Sequence, residues 1–171
     1  MTNKKIFTGL NFPQSDGGVL VAVLVPEKLY NAELDNGANY ESTREHVYKF
    51  WYTYPHLTNT YYCQTVTINA GTRWDGASVP RCLRWFRGRR GRLSLGAFLH
   101  DFLWGTQYVS FQHANYLAWV VWRLTDNGVA ASWACKKAVD LSYSRWAKLS
   151  ANVAEARVFG KYHMWPTHKI E

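Results

Sequence analysis

Two short polar runs interrupt apolar sequence, Trp74-Asp75-Gly76-Ala77-Ser78-Val79-Pro80 and Leu99-His100-Asp101-Phe102. Asp75, Ser78, His100 and Asp101 are the side chains in them that can do acid–base or nucleophilic chemistry. An imidazole beside a carboxylate, among Leu, Phe and Trp, is costly unless each polar group finds a partner or a ligand. These four positions are therefore the predicted catalytic set. A carboxylate bonded to one imidazole nitrogen fixes the tautomer and raises the basicity of the other. On this reading Asp75 projects beside His100 as its orienting partner, and His100 is the general base of a hydrolytic reaction. Helix neighbours point about 100° apart, so His100 and Asp101 are each expected to need a partner from elsewhere, Asp101 taking a cation or an arginine. The same residues also have a purely structural reading, with Asp75 and Ser78 as turn and cap and His100 as a satisfied core histidine.

A metal set would draw on His100, Asp101, Asp75 and His113. The chain has no HExxH, no cysteine pair and no EF-hand loop, so the sequence assigns no metal or cofactor. Ser78 has no GxSxG elbow around it. The other element that could carry function is the run Arg81, Arg84, Arg87, Arg89, Arg90 and Arg92, with Trp85 and Phe86 among them and no acid between Asp75 and Asp101. Guanidinium groups pair with phosphates and stack on rings. The run is the predicted binding surface for an anionic partner, nucleic acid or an acidic protein face; its bland reading is a solvated loop.

These residues must be positioned by a chain of 171 residues, 47% hydrophobic, enough for one well-filled core. The net charge of +8 bears on association with anionic partners and not on fold. Three cysteines, Cys63, Cys82 and Cys135, are odd in number and far apart, which argues against a disulfide framework and for a reducing compartment. The longest apolar run, residues 19–25, is too short to span a bilayer. No apolar signal core follows Lys4 and Lys5.

Aromatic and β-branched bias predicts strands over residues 18–25, 47–54 and 61–68, with turn-rich stretches at 31–42 and 55–60. Pro80 suits the first turn of a short helix at 81–86, capped by Ser78. Leu95, Phe98, Leu99, Phe102 and Leu103 form the stripe of a core-facing helix, with His100 and Asp101 to either side of it. Gly96, one turn before His100, leaves space above the imidazole for a backbone or a ligand. Helices follow over 111–126, burying Leu117, Val120, Val121 and Leu124, and over 130–157, burying Cys135, Ala138, Val139, Trp146 and Leu149. The expectation is a single α+β domain over 1–171: β-rich over 1–73, a motif turn at 74–80, helical over 81–157 and an irregular tail at 158–171. An N-terminal antiparallel β layer packs against about three C-terminal helices.

In this order and spacing the two polar runs resemble a family of small uncharacterised proteins found mostly in tailed bacteriophages and prophages. Its pattern is an Asp-Gly-Ala-Ser-x-Pro turn, a helix carrying Leu-His-Asp, and a helix that begins near Ala-Asp. Asp75, Gly76, Ala77, Ser78 and Pro80 match the first element, and Leu99, His100 and Asp101 the second, within a likeness covering residues 69–128. At the third the chain reads His113-Ala114-Asn115, so Asn115 stands where the family has Asp and a charge is lost. The resemblance implies a phage protein of the host cytoplasm or the virion, working beside other phage proteins. Its polar pocket would gather Asp75, Ser78, His100, Asp101 and Asn115, but the family carries no activity to transfer. Two readings stand: a hydrolytic accessory protein, or a non-catalytic virion structural or binding protein that uses its arginine loop and aromatic surface to contact nucleic acid or another protein.

Overall fold

Alternation along two aromatic strands sets up the main sheet. A computed structural model describes residues 4–34, 40–74, 94–125, 129–148, 153 and 157–170. In β6 (His46–Thr53), His46, Tyr48, Phe50 and Tyr52 face one way and Val47, Lys49, Trp51 and Thr53 the other. It pairs antiparallel with β7 (Tyr61–Ile68), Trp51 opposite Cys63 and Lys49 opposite Thr65. On its other side lies β3 (Val19–Pro26), which also pairs with β1 (Lys4–Phe7) and β2 (Phe12–Pro13). A smaller antiparallel sheet joins β4 (Asn31–Glu33), β5 (Tyr40–Ser42) and β8 (Arg73–Trp74), so the stretch expected to be turn-rich contains two short strands.

The helices are α1 (Ser94–Thr106), α2 (Phe111–Leu124), α3 (Val129–Asp140) and α4 (Tyr143–Lys148). All five residues of the expected α1 stripe are buried, packed with Tyr48, Phe50, Tyr52, Val66 and Ile68 of the sheet. At roughly 2 kcal/mol for each large apolar side chain, this face fixes where α1 sits. The Tyr48 hydroxyl donates to the Leu95 carbonyl at 3.0 Å, tying sheet to helix. Leu117, Val120 and Val121 of α2 are buried as expected, and Leu124 partly so. Among the described residues no helix is long and apolar enough to cross a membrane. The architecture is α+β, with four described helices.

Two sequence expectations are corrected. The helix expected over 130–157 is broken after Asp140, where the Ser142 hydroxyl and backbone N–H both donate to the Val139 carbonyl, at 2.5 and 3.0 Å. A serine hydroxyl competing for helix carbonyls favours such a turn. The tail expected to be irregular contains β9 (Gly160–Thr167), which pairs with β7 along its length from Ile68–Gly160 to Tyr61–Thr167. Gly160 is required there: a Cβ would lie 2.3 Å from the Thr67 carbonyl oxygen and 2.5 Å from Phe102 Cζ. Pro166 is tolerated because β9 is an edge strand, which needs no donor on its open side.

Candidate functional site

His100 lies off the apolar stripe of α1, yet it is only 2% exposed, because α2 covers a second side of that helix. Gly96 permits the approach. A Cβ there would meet Trp122 Cδ1 at 2.4 Å and the Ala118 carbonyl at 3.0 Å, so the space expected above the imidazole for a ligand is taken by an indole. The imidazole sits between Trp104 and Trp122, with ring centroids 5.2 and 6.4 Å away.

From His100 a line of polar groups crosses three helices. Its Nε2 lies 3.0 Å from Asn115 Oδ1. Asn115, fully buried on α2, donates through Nδ2 to Asp140 Oδ1 at 2.9 Å. Lys136 Nζ, one turn earlier on α3, donates to Asp140 Oδ2 at 2.8 Å. An ionised carboxylate only accepts, so Asp140 claims the amide NH2 and turns the Asn115 carbonyl toward His100. Nε2 must therefore carry a hydrogen, and in the neutral ring the lone pair is on Nδ1.

That nitrogen lies 3.6 Å from Asp101 Oδ1, beyond hydrogen-bond length. The two neighbours were expected to point apart; instead the Asp101 carboxylate, 16% exposed, lies beside the ring. Among the described residues Nδ1 makes no hydrogen bond.

Of the residues singled out by sequence, His100, Asp101 and Asn115 come together. Asp75, Ser78, Arg81, Arg84, Arg87, Arg89, Arg90 and Arg92 lie outside the described residues. His113 is not part of a metal set with His100: its Nε2 bonds to Gln64 Oε1 at 3.0 Å, and Gln64 Oε1 also accepts from the Tyr52 hydroxyl at 2.9 Å. Among the described residues no three His, Cys, Asp or Glu side chains are grouped as metal ligands. Sequence reasoning missed Asp140 and Lys136. Their i,i+4 spacing is the one signal they carry, and it is the same as that of an ordinary surface pair.

Fold and site together define an α+β protein with a helix-borne histidine oriented by an amide that is itself oriented by a carboxylate. The chain belongs to the family described as Protein of unknown function (DUF1353), which matches it over residues 52–139. The matched span holds His100, Asp101, Asn115 and Lys136. No curated protein and no solved structure matches the chain.

Proposed function

We propose that this is a bacteriophage accessory protein in which His100 serves as the general base of a hydrolytic reaction. One observation carries the reading: the line through Asn115 and Asp140 fixes the hydrogen on Nε2, so the lone pair is on Nδ1, which lies 3.6 Å from Asp101 Oδ1. A water or substrate proton taken up at Nδ1 would leave an imidazolium held between the Asn115 carbonyl and the Asp101 carboxylate, the charge arrangement a proton acceptor needs. Asp75 and Ser78 would add a second carboxylate and a hydroxyl to the pocket. The arginines at 81, 84, 87, 89, 90 and 92 would draw in an anionic partner, in the host cytoplasm or within the virion.

The test is His100→Gln, whose amide N–H can still donate to Asn115. Across a panel of ester, amide and phosphodiester substrates, and in phage growth, the variant should lose about 100-fold or more of the activity while melting within a few degrees of the unaltered protein. Undiminished activity in the variant would sink the proposal.

A second reading rests on the burial of His100 and on the way its polar line ties α1, α2 and α3 together, as in a non-catalytic virion or binding protein. On that reading His100→Gln changes stability and nothing else.

A further inference from the structure

The described helices pack on one face of the large sheet. The opposite face carries Val47, Lys49 and Trp51 from β6, Cys63, Thr65 and Thr67 from β7, and Lys161, His163 and Trp165 from β9. The register aligns them in three rungs: Trp51–Cys63–Trp165, Lys49–Thr65–His163 and Val47–Thr67–Lys161. From Cys63 to Thr67 the middle strand offers only small side chains, so the longer ones on either side bank a shallow trough along β7, with Tyr61 on the same face beyond Cys63, packed against the Trp51–Cys63 cluster. With strands about 4.8 Å apart, the banks stand roughly 10 Å from one another.

Ile170 packs against the Trp51–Cys63 cluster and closes one end. Along β9 Lys161, His163 and Trp165 are exposed, Trp165 by 56%, and away from the Ile170 end Lys49, Thr65 and Thr67 are half-buried. His163 and Trp165 are stacked, with centroids 5.0 Å apart and planes 13° from parallel, which makes a flat aromatic surface at the rim. No strand of this sheet contains an Asp or Glu; exposed Glu45 lies just before β6.

We infer that this face binds single-stranded nucleic acid. Every base has a π-face, so a pre-stacked indole and imidazole accept unpaired bases without regard to sequence. Lys49 and Lys161 flank the small-residue floor where a phosphate backbone would run, and an acid-free set of strands in a protein of charge +8 complements a polyanion. A duplex keeps its base faces inside its own stack and cannot use the aromatic rim. The site is separate from the His100 line, and none of its residues belongs to the arginine run of the sequence.

Fluorescence anisotropy with labelled oligo-dT and oligo-U of about twelve nucleotides, and a blunt duplex of equal length, tests this on the full chain. Single strands should bind at about 50 mM salt and more tightly than the duplex. Trp165→Ala should weaken binding about tenfold or more. The double variant Lys49→Ala/Lys161→Ala should reduce the salt slope by about 1.4, at roughly 0.7 per phosphate contact on a single strand. Trp165 is exposed, so its variant should melt with the parent. Three results would overturn the inference: no binding at low salt, a duplex bound as tightly as a single strand, or platform variants that bind like the parent while Arg87→Ala/Arg89→Ala/Arg90→Ala alone abolishes binding.

Discussion

His46, at the start of β6, and His100, midway along α1, are buried to the same depth, 1% and 2% exposed, and use their ring nitrogens differently. His46 Nε2 accepts from the Tyr30 backbone N–H at 3.1 Å. The Ser42 hydroxyl donates to the Arg44 carbonyl at 2.6 Å, so its oxygen accepts from His46 Nδ1–H at 3.1 Å. Both nitrogens are satisfied in a neutral ring, and burial holds the pKa below the ordinary imidazole value of 6.5, against a smaller raising effect from the Arg44 backbone. His100 has one nitrogen fixed by Asn115 and the other set beside a carboxylate at 3.6 Å. Depth of burial does not distinguish these two rings; how their nitrogens are partnered does.

The largest effect is expected from Asn115→Leu. It removes the acceptor of His100 Nε2–H and the donor to Asp140 in one step, inside a fully buried site. Urea denaturation should show a loss of about 3 kcal/mol, because the buried His100 Nε2–H is orphaned and the charge-assisted bond to partly exposed Asp140 is lost. An unchanged midpoint would mean that the line does not hold His100 in place. His46→Leu should cost about 2 kcal/mol for the stranded Tyr30 and Ser42 groups and leave any His100-dependent activity intact. Loss of that activity in a folded His46 variant would erase the contrast.

Gly96→Ala sharpens the same contrast. The added Cβ falls on Trp122, so α1 and α2 must separate, at a cost of roughly 1–3 kcal/mol. In NMR spectra the His100 ring resonances should shift while those of His46 stay put.

The pH dependence follows from two rings whose pKa values lie below 6.5. His46 and His113 are both lowered by burial, with Asp16 opposing the shift at His113. Below that pH the unfolded chain binds protons that the folded one does not, so stability is present above about pH 6.5 and is lost as the pH falls. Melting temperature should drop between about pH 7 and pH 5, and less steeply in His46→Leu. The smallest effect belongs to Lys136→Met. Its partly exposed pair with Asp140 is worth about 0.5 kcal/mol or less, readable as a small change in urea midpoint.

The core was more legible in the sequence than the site. Residues 61–68 read as a strand and form β7, and all five residues of the α1 stripe are buried, because periodicity reports directly which side of an element faces apolar neighbours. The same stripe misled about His100. It marks the side of α1 against the sheet and not the second side, which α2 covers because Gly96 has no side chain. Asn115 was placed with His100 through a family pattern, whereas Asp140 comes from a distant helix and carries no local signal of its contact. β9 escaped notice because Lys161, His163 and Trp165 face outward and Pro166 sits within it, which blurs the alternation a strand ordinarily shows.

The pairing of β7 with β9 also bears on how the chain acquires its shape. All four described helices lie between the two strands in sequence, so the flank of β7 cannot close until residue 160 and those beyond it have been synthesised. At translation rates of about 5–20 residues per second, that flank waits on the order of 5–20 s with its hydrogen-bonding groups open. So distant a closure also places the last step of assembly among the slow, non-local ones. A nascent chain stalled before Gly160 would expose the Tyr61–Ile68 edge to other chains, which makes prompt arrival of the final strand a safeguard against aggregation.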